Sequence, residues 1–337
     1  MAITRRYNSG LETGSLGEIS GRVSNGGTAA SISTTADYTG TYGLRTEGSS
    51  LFYGCGYTNF PATRQVRIGQ YFRVASSGTS SQRTAIAIRS ASANVFTLRI
   101  ANTGAAGLYV AGTLRDSSTG YYATWMHLGI DVYIHSTVGW INIYKDGELD
   151  MSYSGNTGNV DIVQMRMGKQ EQSNYAFITF HDDIYIDDTA GEGSPDVVPK
   201  KRFHPLTISG AGNYAQWDPS AGSNYACVDE IPPSDADYVS TNVADELDSY
   251  AMTTHTLAEE EVPIALIPTA RILRATSTEE FALGTRYSAT DLVGSDQIPT
   301  AAYAYYWERQ ETKPGGGSWD QASIDAVEGL IKSRGSY

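Results

Sequence analysis

The chain has 337 residues, of which 40% are hydrophobic and only 18% charged, with 35 glycines and 23 tyrosines. That composition excludes a coiled coil or a disordered chain and describes a turn-rich β protein. Its net charge of -13 argues against nucleic acid as a partner, because non-specific binding to phosphates takes a clustered basic surface.

A prior of about 150 residues per domain gives roughly two domains. The acidity is concentrated late: residues 200–337 hold 10 Lys+Arg against 20 Asp+Glu, a net of -10, and the rest of the chain only -3. At the start, MAITRRYNSGLETG has two arginines with no apolar run behind them, so it is read as neither signal peptide nor anchor. No later stretch approaches the ~20 apolar residues that span a bilayer, and no membrane partner is expected. Cys55 and Cys227 fall in different halves and are read as two thiols, which suits synthesis in a reducing cytoplasm.

In chain order, the first half shows short alternating or β-branched runs between Gly, Ser, Asn and Thr clusters. They are QVRIGQYFRV (65–74), RTAIAIRS (83–90), NVFTLRIA (94–101), GLYVAGTLR (107–115), MHLGIDVYIH (126–135) and WINIYKDGELDMSY (140–153). Each is predicted as a strand. Inside the last, Asp146-Gly147 supplies the positive φ angles of a tight hairpin. Many short strands and no helical period before residue 190 predict a β-sandwich of jelly-roll form. GEGSPDVVPKK (191–201) then breaks the pattern, and a linker is placed at 193–202 between a first domain, 1–192, and a second, 203–337.

The second domain is expected to be a smaller β-sandwich, from NYAQWDP (213–219), YACVDEI (225–231), DYVST (237–241), ELDSYAM (246–252), IPTARILRATS (267–277), EFALGTRYS (280–288) and AAYAYYWERQETKP (301–314). Ser318 and Gln321 have the spacing of a capping box, and Trp319, Ala322, Ala326, Val327, Leu330 and Ile331 fall on one helical face. One C-terminal helix is therefore expected. The fold class is all-β, with two sandwiches and that single helix.

Trp125 before an alternating strand, then Tyr144, Asp146, Gly147 and Leu149 in a hairpin, then the late strand Asp182 to Ile186, together resemble the laminin-G-like and concanavalin-like jelly-roll superfamily over about residues 1–190. YNSGLETGSLGEIS and GTYGLRTEG near the start, with WDPSAGSNYACVDEIPPSDADYVST and KPGGGSWDQASIDAVEGLIKSR in the second half, resemble segments of tailed-bacteriophage virion proteins. What that resemblance implies is a non-enzymatic structural protein on the particle exterior, as head decoration or tail accessory. Its partners would be other virion proteins, the major capsid protein or tail proteins, and its synthesis would be in the host cytoplasm. The alternative is a lectin-like module binding a host surface glycan, and the third reading is a polysaccharide hydrolase.

HDDIYIDD (181–188) is the chief candidate site. Strict alternation places Asp183, Tyr185 and Asp187 on one face and Asp182, Ile184, Ile186 and Asp188 on the other. Concanavalin-like glucanases, which resemble this fold, carry paired carboxylates on one strand. Here Asp183 and Asp187 would stand about 13 Å apart along a strand, wider than the roughly 5 to 9.5 Å of glycosidase pairs. No catalytic residue is therefore assigned. Asp182, Asp183, Asp187 and Asp188 offer oxygens near strand ends and are the candidate calcium ligands, against a reading in which they keep the ends of a buried Ile184/Ile186 strand in water. No other cofactor is expected: His127, His135, His181, His204 and His255 lie on separate segments with no zinc spacing. Tyr303, Tyr305 and Trp307 are expected as a core-facing stripe, with Tyr306 pointing the other way.

Overall fold

The computed structural model describes residues 4–25, 30–48, 53–77, 81–171, 175–188, 198–275 and 279–335. The Gly/Pro-rich stretch at 191–197 thus lies outside the described residues. The chain divides into two compact units, Met1–His204 and Pro205–Tyr337.

The first unit is built from β1 (Thr4–Ser9), β2 (Gly21–Ser24), β3 (Ser31–Ser33), β4 (Gly43–Gly48), β5 (Gly54–Thr63), β6 (Gln65–Ser77), β7 (Arg83–Arg89) and β8 (Asn94–Ile100). It continues with β9 (Ala106–Val110), β10 (Thr113–Ser118), β11 (Met126–Tyr133), β12 (Gly139–Lys145), β13 (Glu148–Gly155), β14 (Ile162–Lys169) and β15 (Phe177–Asp188). An eight-stranded antiparallel sheet runs β13-β12-β11-β6-β15-β4-β3, with β1 also paired to β15, and a seven-stranded sheet runs β10-β9-β8-β7-β14-β5-β2. Their facing side chains form one core: Ile68, Phe72, Ile130, Ile143 and Ile184 from the first sheet, Ile86, Ile88, Phe96, Leu98 and Met165 from the second. Each such side chain, fully buried, contributes roughly 1.5–3 kcal/mol. This is a β-sandwich of jelly-roll type.

Turn chemistry explains the strand ends. Asp146 (φ 55) and Gly147 (φ 98) make the expected hairpin between β12 and β13. GLYVAGTLR, expected as one strand, is instead a hairpin, because Ala111 (φ 48) and Gly112 (φ 81) reverse the chain between β9 and β10. Two left-handed residues in succession turn a strand back on itself.

The second unit contains β16 (Ile208–Ala215), β17 (Asp218–Pro219), β18 (Val239–Ser240), β19 (Leu247–Met252), β20 (Thr269–Ile272), β21 (Glu280–Tyr287), β22 (Thr290–Val293), β23 (Ala304–Trp307), α1 (Gln321–Asp325) and β24 (Glu328–Arg334). A five-stranded sheet, β16-β19-β24-β21-β22, is accompanied by the ribbons β17-β18 and β20-β23. Tyr250, Phe281, Leu283 and Ile331 form its core, closed by Ala270, Ile272 and Tyr306 from the second ribbon. Within the aromatic stripe it is thus Tyr306 that packs inward, edge-on to Phe281 at 5.1 Å, while Tyr303 and Tyr305 lie beneath the Arg271 guanidinium. The expected stripe is reversed.

The helix is also shorter than its apolar spacing suggests. Asp320, not Ser318, caps it, exchanging hydrogen bonds with Ser323. Leu330 and Ile331 belong to β24, where pairing with both β19 and β21 makes them a central strand. The i, i+4 apolar spacing was shared by a short helix and a buried strand. Among the described residues no helix is long and apolar enough to cross a membrane.

Candidate functional site

The eight-stranded sheet has a second face, turned away from the core. Because side chains alternate, burying Val66, Ile68, Phe72 and Val74 inward turns Arg67, Gly69, Tyr71 and Arg73 of β6 outward. Strand register then arranges this outer face in rows. Phe180 lies beside Arg73; Asp182 beside Tyr71, which faces His127; Tyr185 beside Gly69, which faces Gly129 and then Tyr144; Asp187 beside Arg67, which faces Asp131 and Asn142.

One irregularity makes this arrangement. The β6–β15 register slips between Asp182 and Tyr185, and Asp183 takes a positive φ of 49°, as in a β-bulge. Asp183 therefore does not share a face with Asp187 through simple alternation, and Asp182 and Asp183 are brought together instead. Both are buried. Asp182 Oδ2 accepts from the backbone amides of Tyr38 (2.7 Å) and Thr39 (3.0 Å). Asp183 accepts from Thr39 Oγ1 (2.7 Å) and from the Phe203 amide (2.9 Å). Burial raises both carboxyls above the usual range, and for Asp182 the adjacent Asp183 charge adds to the effect. Glu12, which accepts from the Thr41 amide at 2.9 Å, is pushed up to about 7, chiefly by burial and against the lowering effect of backbone amides.

Asp187 and Asp188 have other partners. Lys201 Nζ donates to Asp187 at 3.0 Å, and Arg6 reaches Asp188 at 2.6 Å. The four aspartates considered as calcium ligands thus divide into an amide-bound pair and two cation-bound singles. They do not converge within reach of one ion among the described residues.

The two elements held by Asp182 and Asp183 bring Tyr38 and Arg202 to the outer-face row of Tyr71, Arg73, Trp125 and Phe180. The loop between β3 and β4 delivers Tyr38, which stacks on Tyr71 with ring centroids 3.7 Å apart and planes 14° apart. Tyr38 also meets Trp125 at 5.6 Å, and Trp125 meets Phe180 at 6.3 Å. The Arg73 guanidinium lies over Trp125 at 5.1 Å and Phe180 at 4.6 Å. Arg202 lies over Tyr38 at 5.5 Å and Tyr71 at 5.8 Å. Tyr38, Arg73 and Trp125 are half-buried and Arg202 is exposed, so the row presents faces and edges to solvent.

Residues 198–203 continue across the same face as a strap. Val198, fully buried, fills a trough over Gly129, while the Tyr185 ring lies over Gly69, the glycine in register with it, and Val198 packs with Tyr144, Tyr185 and Phe203. A Cβ on Gly129 would lie 2.7 Å from Val198 Cβ, and one on Gly69 would run into the Tyr185 ring. Tyr185 Oη donates to the Pro199 carbonyl, and Lys201 Nζ sits 4.2 Å above the same ring. Beneath this region His127 is fully buried, and neither of its ring nitrogens has a hydrogen-bond partner. Burial, aided by Lys200, lowers its pKa to about 4, so it is neutral.

Sequence reading singled out Asp182 and Asp183 but paired the wrong carboxylates, and it flagged Trp125 only as a mark of resemblance. It missed Tyr38, Arg73 and Arg202. Arg73 follows from alternation on β6, whereas Tyr38 and Arg202 come from loops that no local pattern ties to the sheet.

No family model matches the chain, and no curated protein matches it. Among solved structures, a sialidase aligns with 56% of this chain at 12% identity and a TM-score of 0.45, and this chain spans 19% of its length. An alginate lyase of Polysaccharide Lyase family 7 aligns with 48% of this chain and 82% of its own, at 8% identity and a TM-score of 0.37. The carbohydrate-binding module CBM66 from Bacillus subtilis aligns with 50% of this chain and 97% of its own, at 8% identity and a TM-score of 0.34. These neighbours comprise carbohydrate-active enzymes and a binding module, and the expectation of a bacteriophage virion structural protein, with virion proteins as partners, is corrected on that finding.

Proposed function

We propose that the first unit is a glycan-binding module, with the outer face of the eight-stranded sheet as its binding surface. The observation that supports this reading is the pair of half-buried rings Tyr38 and Trp125, backed by the buried rings of Tyr71 and Phe180 and bracketed by Arg73 and Arg202. Aromatic faces offer a sugar ring a large apolar area at low conformational cost, and the guanidinium groups offer fixed hydrogen-bond donors at its rim.

Binding without turnover is the form of activity proposed. Asp182 and Asp183 are buried and hold the backbone of the two flanking segments, so neither carboxyl is presented to a glycosidic bond as hydrolysis requires. A glycan array followed by calorimetry on the hits tests the proposal. Trp125→Ala and Tyr38→Ala are expected to abolish binding while the protein stays folded. A bound glycan whose affinity survives both substitutions would place the site elsewhere, and steady release of reducing ends from any hit would overturn the non-catalytic reading.

A further inference from the structure

Resting on the glycan-binding reading, we infer that the platform selects glycans that carry carboxylate groups. The first ground is the state of Arg73. No carboxylate among the described residues pairs with it, its Nε has no hydrogen-bond partner, and its one side-chain bond is a long 3.4 Å contact from Nη2 to the Thr35 carbonyl. It is nevertheless held in place by two rings, at 5.1 Å and 4.6 Å.

Of the other arginines over aromatic rings, Arg83, Arg99 and Arg115 in the first unit likewise take no carboxylate among the described residues, whereas two in the second unit are each fixed by one. Arg271 lies over Tyr303 and Tyr305, but Asp235 takes both Nε and Nη2 at 2.7 Å. Arg286 lies over Tyr214, and Asp291 takes its Nη1 at 2.5 Å. In a chain of net charge -13 acidic partners are plentiful, yet Arg73 is oriented by rings and left without one.

The second ground is position. Arg202, exposed, covers the other end of the same row, so the aromatic surface lies between two guanidinium groups. A planar guanidinium fork matches a carboxylate through two parallel hydrogen bonds, and stacking on a ring pre-organises it for that contact. Asp182 and Asp183, on the same face, are buried and turned to backbone amides. A carboxylated sugar stacked on Trp125 or Tyr38 would supply an anion to Arg73, with which no carboxylate among the described residues pairs.

The test uses the whole protein and a panel of oligosaccharides containing uronic or sialic acids, each matched with its carboxyl-reduced counterpart. The acidic member of a pair is expected to bind roughly 10-fold or more tightly, as one charge-assisted hydrogen bond implies, with affinity falling as salt screens the contact. Arg73→Gln is expected to remove most of that preference, lowering affinity for the acidic member of a pair several-fold more than for its reduced counterpart. Arg202→Gln, at an exposed position, gives the same readout if Arg73→Gln fails to fold. Equal affinity within pairs, or a preference untouched by both substitutions, would overturn the selectivity and leave glycan binding intact. Binding to neither member of any pair, with the array also blank, would overturn the underlying reading as well.

Discussion

The eight-stranded sheet has two faces made from the same strands, and they are put to opposite uses. On β6, Val66, Ile68, Phe72 and Val74 lie in a dry core, while Arg67, Gly69, Tyr71 and Arg73 one residue along carry charge, rings or nothing at all. The inner face is interchangeable in chemistry and strict in volume, as close packing demands. On the outer face the reverse holds, since the identity of each group decides what it can contact. Core packing and outward contact are therefore separable by parity along a single strand.

The largest expected effect comes from the inner face. Phe72→Ala should lower stability by about 3–5 kcal/mol through lost burial and the cavity left behind, read as a fall in denaturation midpoint. A cost like that of a surface substitution would mean that the two sheets do not share one core. Next is the trough. Gly129→Val places atoms where Val198 sits and should cost about 1–3 kcal/mol by overpacking, with residues 198–203 becoming accessible to a protease. Unchanged protection would argue that the strap is not seated there.

A third expectation concerns pH. His127 and His181 have their pKa lowered by burial, to about 4 and about 3, so they contribute stability that is present above about 6.5 and lost as pH falls toward those values. Asp182, Asp183 and Glu12 are raised, Glu12 to about 7, so their contribution is present at low pH and lost as pH rises through the raised values. Below about 6.5 the two groups oppose each other, and above it only the carboxyls titrate. The melting temperature should therefore decline from pH 6.5 upward, and Asp182→Asn, which keeps an acceptor for the Tyr38 and Thr39 amides, should flatten the decline. A slope identical in the variant would remove the carboxyl pair as its source. The smallest effect on stability is expected for Trp125→Ala, about 1 kcal/mol or less for a half-buried side chain, alongside the loss of glycan binding.

How much of this was legible beforehand follows from the same parity. Wherever alternation ran unbroken, as in 65–74 and 126–133, the strands and their inward residues could be read directly. It failed where one residue leaves the ladder. The bulge at Asp183 changes the phase of HDDIYIDD midway, so a count of two per face paired Asp183 with Asp187 when the neighbour that matters is Asp182. The hairpin at Ala111-Gly112 went unseen because the flanking runs join into one plausible strand. The site itself was the least legible part. Tyr38 and Tyr71 stack although 33 positions separate them in the sequence, and Arg202 joins them from beyond β15, which only three-dimensional packing specifies.

The paired glycines at 69 and 129 carry one more consequence. A hollow lined by side chains can be closed by rotating them, so its depth drifts with temperature and with each neighbouring substitution. The floor of this hollow is main chain on two adjacent strands, already committed to the sheet's hydrogen bonds, and it has nothing to rotate. At Gly129 its relief is as rigid as the ladder itself, whereas at Gly69 the Tyr185 ring covers the floor. Whatever lies over Gly129, Val198 now or another extended chain in its place, meets a fixed mould rather than an adjustable one.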